Sequence, residues 1–288
     1  MNTLCWSLTK PNKNTTEFSE YVIDMYYLSM VMAKQLGYRI VFYGNSVAIE
    51  KLRELCDEII NIDNLHYEFY DDIKVFIWET RRDDYVVIDG DVFLYKRLLF
   101  RENFIHKKYD IRVDTLQQLS KKEVDSTKSS INLLEHLGIS KKLFEWNYYK
   151  GGDSYCTGII HWNNTEFKEY YIQQYYILRK FILDNRNFLE ENIQYLKSDS
   201  SILSHILCEQ TLYKLMDYYN LNADILAFND ENSYTHIQGS TKFRNPDVYI
   251  GIGLLVRELR RLRKNGFTHN LNIKQIYVEL AKLHNALQ

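Results

Sequence analysis

The reading turns on Asp84-Tyr85-Val86-Val87-Ile88-Asp89-Gly90-Asp91-Val92-Phe93-Leu94-Tyr95. Tyr85 to Ile88 is a short apolar run rich in β-branched residues, the pattern of a strand buried on both faces. It ends on two carboxylates. Side chains two apart on an extended chain point the same way, so Asp89 and Asp91 can converge on one cation if the backbone stays open at the strand end. Gly90 between them lacks a Cβ, which permits an unusual φ and lets a phosphate or ribose approach the main chain. Oxygen ligands of this kind suit Mg²⁺ or Mn²⁺, which take one or two carboxylates and complete their shell from substrate phosphates. The stretch therefore reads as a site for a metal and a diphosphate. A solvated turn after a strand is the plainer alternative.

Upstream of this stretch, strands and helices alternate. Thr3 to Leu8 reads as a first strand, and a polar loop then ends in the capping-box-like Asn14-x-x-Glu17. The helix that follows carries Phe18, Tyr21, Val22, Met25, Leu28, Met32 and Leu36 at helical spacing and stops at Gly37. Arg39 to Tyr43 is a second strand, Val47 to Cys56 a second helix, Ile59 to Ile62 a third strand and Asp71 to Thr80 a third helix. This rhythm specifies an α/β fold with a mostly parallel central sheet flanked by helices, and such sheets bind ligands beyond the carboxyl ends of their strands. Asp89 and Asp91 stand at such an end.

Downstream, Phe100 to Lys150 is charged, rich in Lys and Ser and weakly patterned, and reads as an insertion or lid with one helix from about Thr127 to Leu137. Tyr155 to Trp162 reads as an inner strand interrupted at Gly158, where a close backbone approach is the natural explanation. Helices are expected at Phe167 to Arg186 and Ile202 to Tyr219, short strands at Ala223 to Phe228 and Ser233 to Ile237. The chain closes with a helical region, 247–288. No repeat or linker appears, so a single domain over 1–288 is expected.

Composition sets outer limits. The formal net charge is -2 at a pI near 6.5, which gives no global argument for nucleic acid. Cys5, Cys56, Cys156 and Cys208 show no Cys-x-x-Cys spacing, so reduced thiols and a cytoplasmic setting are expected. The start lacks the pattern of a signal peptide, and no apolar run reaches membrane-spanning length. Arg257, Arg260, Arg261, Arg263 and Lys264 form a basic cluster, read first as a solvated helix face and second as a weak peripheral membrane contact. Asp71-Asp72 and Asp83-Asp84 are read as solvated charges at helix ends or turns.

Three separated stretches together resemble the family 8 glycosyltransferases, the glycogenin and bacterial lipooligosaccharide galactosyltransferase group, which have the nucleotide-diphosphosugar transferase fold called GT-A. They are Lys74 through Tyr95, then Asp153-Ser154-Tyr155-Cys156-Thr157-Gly158-Ile159, then His236-Ile237-Gln238-Gly239-Ser240-Thr241-Lys242. The resemblance implies a metal-dependent, retaining enzyme that transfers a sugar, expected to be a hexose, from a nucleotide-diphosphate donor, expected to be a UDP-sugar. Asp89, Asp91 and His236 would hold Mn²⁺ or Mg²⁺. Trp6, Lys74, Asp89, Gly90, Gly158, Gly239 and Lys242 would contact the donor. Asp153, Glu209 and Gln210 would serve the sugar and its transfer, with Glu209-Gln210 in place of the family's Asp-Gln. Cys156 replaces a family asparagine and Thr157 a serine, so sugar contacts are expected to differ. The acceptor is unread: glycan, protein and modified nucleobase all fit.

Rival readings are a haloacid-dehalogenase-type phosphatase and a non-catalytic nucleotide-sugar binder. The phosphatase normally carries Asp-x-Asp on its first strand with Thr or Val two residues after the second Asp, whereas here three strands precede it and Phe93 stands there. A sugar nucleotidyltransferase needs a glycine-rich loop after the first strand, and Trp6 to Thr16 contains no glycine.

Overall fold

The computed structural model describes residues 3–8, 20–98, 110–117, 121–143, 154–193, 201–226, 234–236 and 264. The chain is mixed α/β, and its strand pairings are mostly parallel, as the rhythm of the sequence requires. It divides into two compact units: Met1–Leu65, Asp83–His106 and Ala227–Gln288 form the first, His66–Arg82 and Lys107–Leu226 the second. The expected closing helices over 247–288 lie outside the described residues, apart from Lys264.

The first unit contains β1 (Thr3–Leu8), α1 (Glu20–Gln35), β2 (Arg39–Gly44), α2 (Ser46–Leu52), β3 (Glu58–Asn61), β4 (Val86–Ile88), β5 (Val92–Leu94) and β9 (Tyr234–His236). Strands β3, β2, β1 and β4 lie side by side in that order, all parallel. Leu4, Cys5, Trp6, Ile40, Val41, Phe42, Val86, Val87 and Ile88 are all buried. Consecutive buried apolar residues are what a strand covered on both faces demands, since each face must leave water. The order has a mechanical consequence. The chain steps outward from β1 through β2 to β3, then returns to the opposite side of β1 with β4. In α/β sheets ligands bind beyond the carboxyl ends of the strands at such a reversal, and Asp89 is the first residue beyond β4.

Helix α1 is the buried helix of this unit: every residue from Met25 to Ala33 is buried. A helix apolar all round belongs inside a core. It ends by the pairing of Tyr38 N with Ala33 O and Gly37 N with Lys34 O, at 3.2 and 2.9 Å. Gly37 takes φ +78° there, and glycine adopts this left-handed terminus without a Cβ penalty.

The second unit contains α3 (Asp72–Thr80), β6 (Ile111–Gln117), α4 (Lys121–His136), β7 (Ser154–Trp162), α5 (Thr165–Asp184), α6 (Arg186–Asn192), α7 (Ser201–His205), a π-turn over Ile206–Gln210, α8 (Thr211–Tyr218) and β8 (Ala223–Ile225). Strand β6 runs antiparallel to β7 and parallel to β8. Beside β7, Trp78 packs edge to face against Trp162 and Tyr171, with ring centroids 5.3 and 5.8 Å apart.

Two expectations change here. The stretch read as weakly patterned carries β6 and a helix that starts six residues earlier than the sequence suggested. Asp71 and Asp72 are not solvated. Both are buried, and the Asp72 carboxylate takes Arg179 Nε and Nη2 at 2.7 and 2.8 Å, Tyr175 Oη at 2.8 Å, and the backbone N–H groups of Glu68 and Phe69. A buried carboxylate persists only when so matched.

The start of α5 is fixed by Asn164, whose side-chain oxygen accepts from Phe167 N at 3.0 Å while its amide donates to Asp110 at 2.8 Å. Asn164→Ala is expected to destabilise the protein by about 1–2 kcal/mol in urea unfolding. An unchanged midpoint would mean that the cap contributes nothing.

Candidate functional site

Asp89, Asp91 and His236 come together within the first unit. Each offers one ligand atom, and these atoms lie within 4.8 Å of one another. His236 is buried, whereas both carboxylates are partly open to solvent. One carboxylate oxygen of Asp91 is 3.2 Å from His236 Nε2.

Local structure explains the convergence, though not by the extended backbone that the sequence suggested. Val92 N donates to Asp89 O at 3.2 Å, which closes Asp89-Gly90-Asp91-Val92 into a tight turn. The chain then leaves as β5 and pairs antiparallel with β9, with Val92 opposite His236. Strand pairing thus delivers an imidazole from 145 positions further along the chain (236 − 91) to the carboxylates. Two carboxylates and an imidazole brought this close form a donor set suited to a divalent cation.

Gly90 acts differently from its sequence reading. Positive φ occurs, among the described glycines, only at Gly37 and Gly138. The place a Gly90 Cβ would take is filled by the ring of Tyr26. The missing side chain makes room for the protein's own core. Trp6 is fully buried, and its indole N–H donates to Ser29 Oγ at 3.0 Å, so its side chain is part of the core and only its backbone is left for the expected donor contact.

A polar cluster lies within the second unit. Lys74, on α3, is buried rather than a surface lysine. Its ammonium donates to the Thr157 carbonyl and hydroxyl at 3.3 and 3.4 Å and lies 3.7 Å from Asp71. Asp71 also accepts from the Ser204 hydroxyl at 2.7 Å. Thr157 N donates to one Glu209 oxygen at 3.3 Å, and the other Glu209 oxygen is 2.6 Å from His205 Nδ1. Glu209 is thereby gripped from both sides. Gly158 is buried within β7.

Glu209 and Gln210 stand in the π-turn. Such turns insert one residue into a helix and are frequent at functional sites. Gln210 is fully buried, and neither of its amide atoms has a hydrogen-bond partner. A buried amide left unmatched costs about 1–3 kcal/mol, so native proteins keep few of them without a role. Burial, reinforced by the Asp71 charge, pushes the Cys208 thiol well above its ordinary range. All of the cysteines are free thiols.

Asp153, Gly239 and Lys242 lie outside the described residues. His205 and Ser204 were missed by sequence reasoning. The spacing of His205 and Glu209, four apart on a helix, was the available signal. Among the described residues no helix is long and apolar enough to cross a membrane.

Neither the protein-family comparison nor a search of curated proteins finds a match. Solved structures with a similar course include the bifunctional glycosyltransferase WbbM (15% identity, TM-score 0.36) and the glycosyltransferase GlyE of Streptococcus pneumoniae (13%, 0.38). They also include the galactosyltransferase LgtC in complex with donor and acceptor sugar analogues (10%, 0.45). The similarity covers 62%, 72% and 95% of this chain, and 34%, 43% and 99% of theirs. The chain thus spans about a third of the length of the first and under half of the second.

Proposed function

We propose that the protein is a metal-dependent glycosyltransferase of the GT-A type that transfers a sugar, a hexose by family likeness, from a nucleotide-diphosphate donor, with UDP as the favoured nucleotide. The observation that carries this reading is the convergence of Asp89, Asp91 and His236 beyond the strand end where the order β3-β2-β1-β4 reverses. In this reading the three residues hold Mn²⁺ or Mg²⁺, which when bound supplies Lewis acidity toward the departing diphosphate. Lys74 is assigned to the donor. Glu209, held by Thr157 and His205, and the unmatched amide of Gln210 are assigned to the sugar, where a hydroxyl or ring oxygen would satisfy the amide. Asp153, Gly158, Gly239 and Lys242 complete the assignment by resemblance alone. Retention of anomeric configuration is carried over in the same way.

A panel of nucleotide sugars with and without Mn²⁺, read by thermal shift, tests the proposal. The correct donor at about 100 times its dissociation constant is expected to add about 2.7 kcal/mol of stability, and only with the metal present. No stabilisation by any nucleotide diphosphate or its sugar would refute the reading. Stabilisation without product in a transfer assay would favour a non-catalytic binder.

A further inference from the structure

We infer that Tyr26 and Ser29, one turn apart on buried helix α1, position the Asp89–Asp91 turn and so set its affinity for a divalent cation. The inference rests on the proposed cation site and adds the part of the molecule that holds it in shape.

The turn is gripped from inside at two points. At Gly90, the residue between the carboxylates, the Tyr26 ring fills the volume a Cβ would need. That ring is itself pinned, because the Tyr26 hydroxyl donates to Ser7 O at 2.7 Å near the carboxyl end of β1. At Val92, the last residue of the turn, Ser29 Oγ donates to the carbonyl oxygen at 2.5 Å and accepts the Trp6 indole N–H at 3.0 Å. Trp6, Ser29 and Tyr26 are all buried. Residues three apart on a helix share a face, so one element presents both contacts to one short turn. The Val92 carbonyl that Ser29 holds belongs to the residue paired with His236. The serine thereby ties the carboxylate turn and the strand bearing the imidazole to the same helix. Groups behind a metal's ligands that fix their orientation typically change affinity by about 10–100-fold when lost.

The test is Mn²⁺ titration of the full chain, read by calorimetry, with melting temperature measured separately without metal. Ser29→Ala and Gly90→Ala are each expected to weaken Mn²⁺ binding by about 10–100-fold. Tyr26→Phe, which keeps the ring but removes its bond to Ser7 O, is expected to weaken Mn²⁺ binding less than Gly90→Ala does. Adding Tyr26→Leu to Gly90→Ala makes room for the new methyl group and should recover affinity relative to Gly90→Ala alone. A merely structural role would lower melting temperature and leave affinity alone. If the parent protein binds Mn²⁺ and both Ser29→Ala and Gly90→Ala bind it equally well, the inference is overturned while the cation site stands. Failure of the parent protein to bind would overturn the cation site and the inference with it. Should Gly90→Ala not fold, Ser29→Ala decides.

Discussion

Asp91→Asn is expected to lower metal-dependent sugar transfer by at least about a thousandfold and to leave the fold in place. A metal acting as Lewis acid contributes several kcal/mol to a transition state, and each 1.36 kcal/mol is about a factor of ten in rate. The amide that replaces the carboxylate is a neutral and weaker ligand. Stability should hardly move, because the Asp91 side chain is 24% exposed and lies in a turn whose backbone bond joins Asp89 and Val92. A change within about 0.5 kcal/mol is expected for such a position. Steady-state transfer rates at saturating Mn²⁺, beside a urea unfolding curve, separate the two effects. Transfer at the parent rate would remove Asp91 from the site.

The largest effect on stability is expected at Asp72, where Asp72→Ala should cost about 3–5 kcal/mol. Its carboxylate is the acceptor for Arg179, for the Tyr175 hydroxyl and for the N–H groups of Glu68 and Phe69, and thus ties α3 to α5. Truncation strands a guanidinium whose side chain is only 18% exposed. Tryptophan fluorescence during urea unfolding, to which Trp78 and Trp162 contribute, measures the loss. The same carboxylate gives a pH dependence of definite sign. Burial pushes its pKa up, but Arg179, the two backbone N–H groups and the Tyr175 hydroxyl outweigh that and hold it below the ordinary aspartate value. Its folded pKa therefore lies below its unfolded value of about 3.9, so its contribution is complete above that pH and fades as pH falls through the lower folded value. Asp72→Asn should flatten that acid limb. A limb of unchanged steepness would show that other groups govern acid unfolding.

Much of the first unit was legible because its signals are local. Burial on both faces of a strand leaves an apolar run such as Val86 to Ile88, and a left-handed helix end leaves a glycine such as Gly37. The convergence of Asp89, Asp91 and His236 was reached through resemblance. The pairing that produces it was not legible, since Val92-Phe93-Leu94 and Tyr234-Thr235-His236 are too short to show a period or name a partner. Strand β6 was overlooked in a charged region, although the alternation of Ile111 and Val113, both fully buried, was there to read. Asp72 was misjudged because acidic residues beside a helix start usually face water, and its partner Arg179 lies 107 residues away. Gly90 illustrates the limit best. Its lack of a side chain was plain, but the aromatic ring that takes the space comes from another helix, and tertiary packing leaves no local trace.

The most direct measurement is anomalous X-ray scattering from crystals of the full chain grown with Mn²⁺ and UDP. A manganese peak in coordinating contact with the carboxylates of Asp89 and Asp91 and with the His236 imidazole is the predicted result, with the diphosphate completing the shell. An ordered UDP with no metal at these three residues, or a manganese ion held elsewhere, would contradict it.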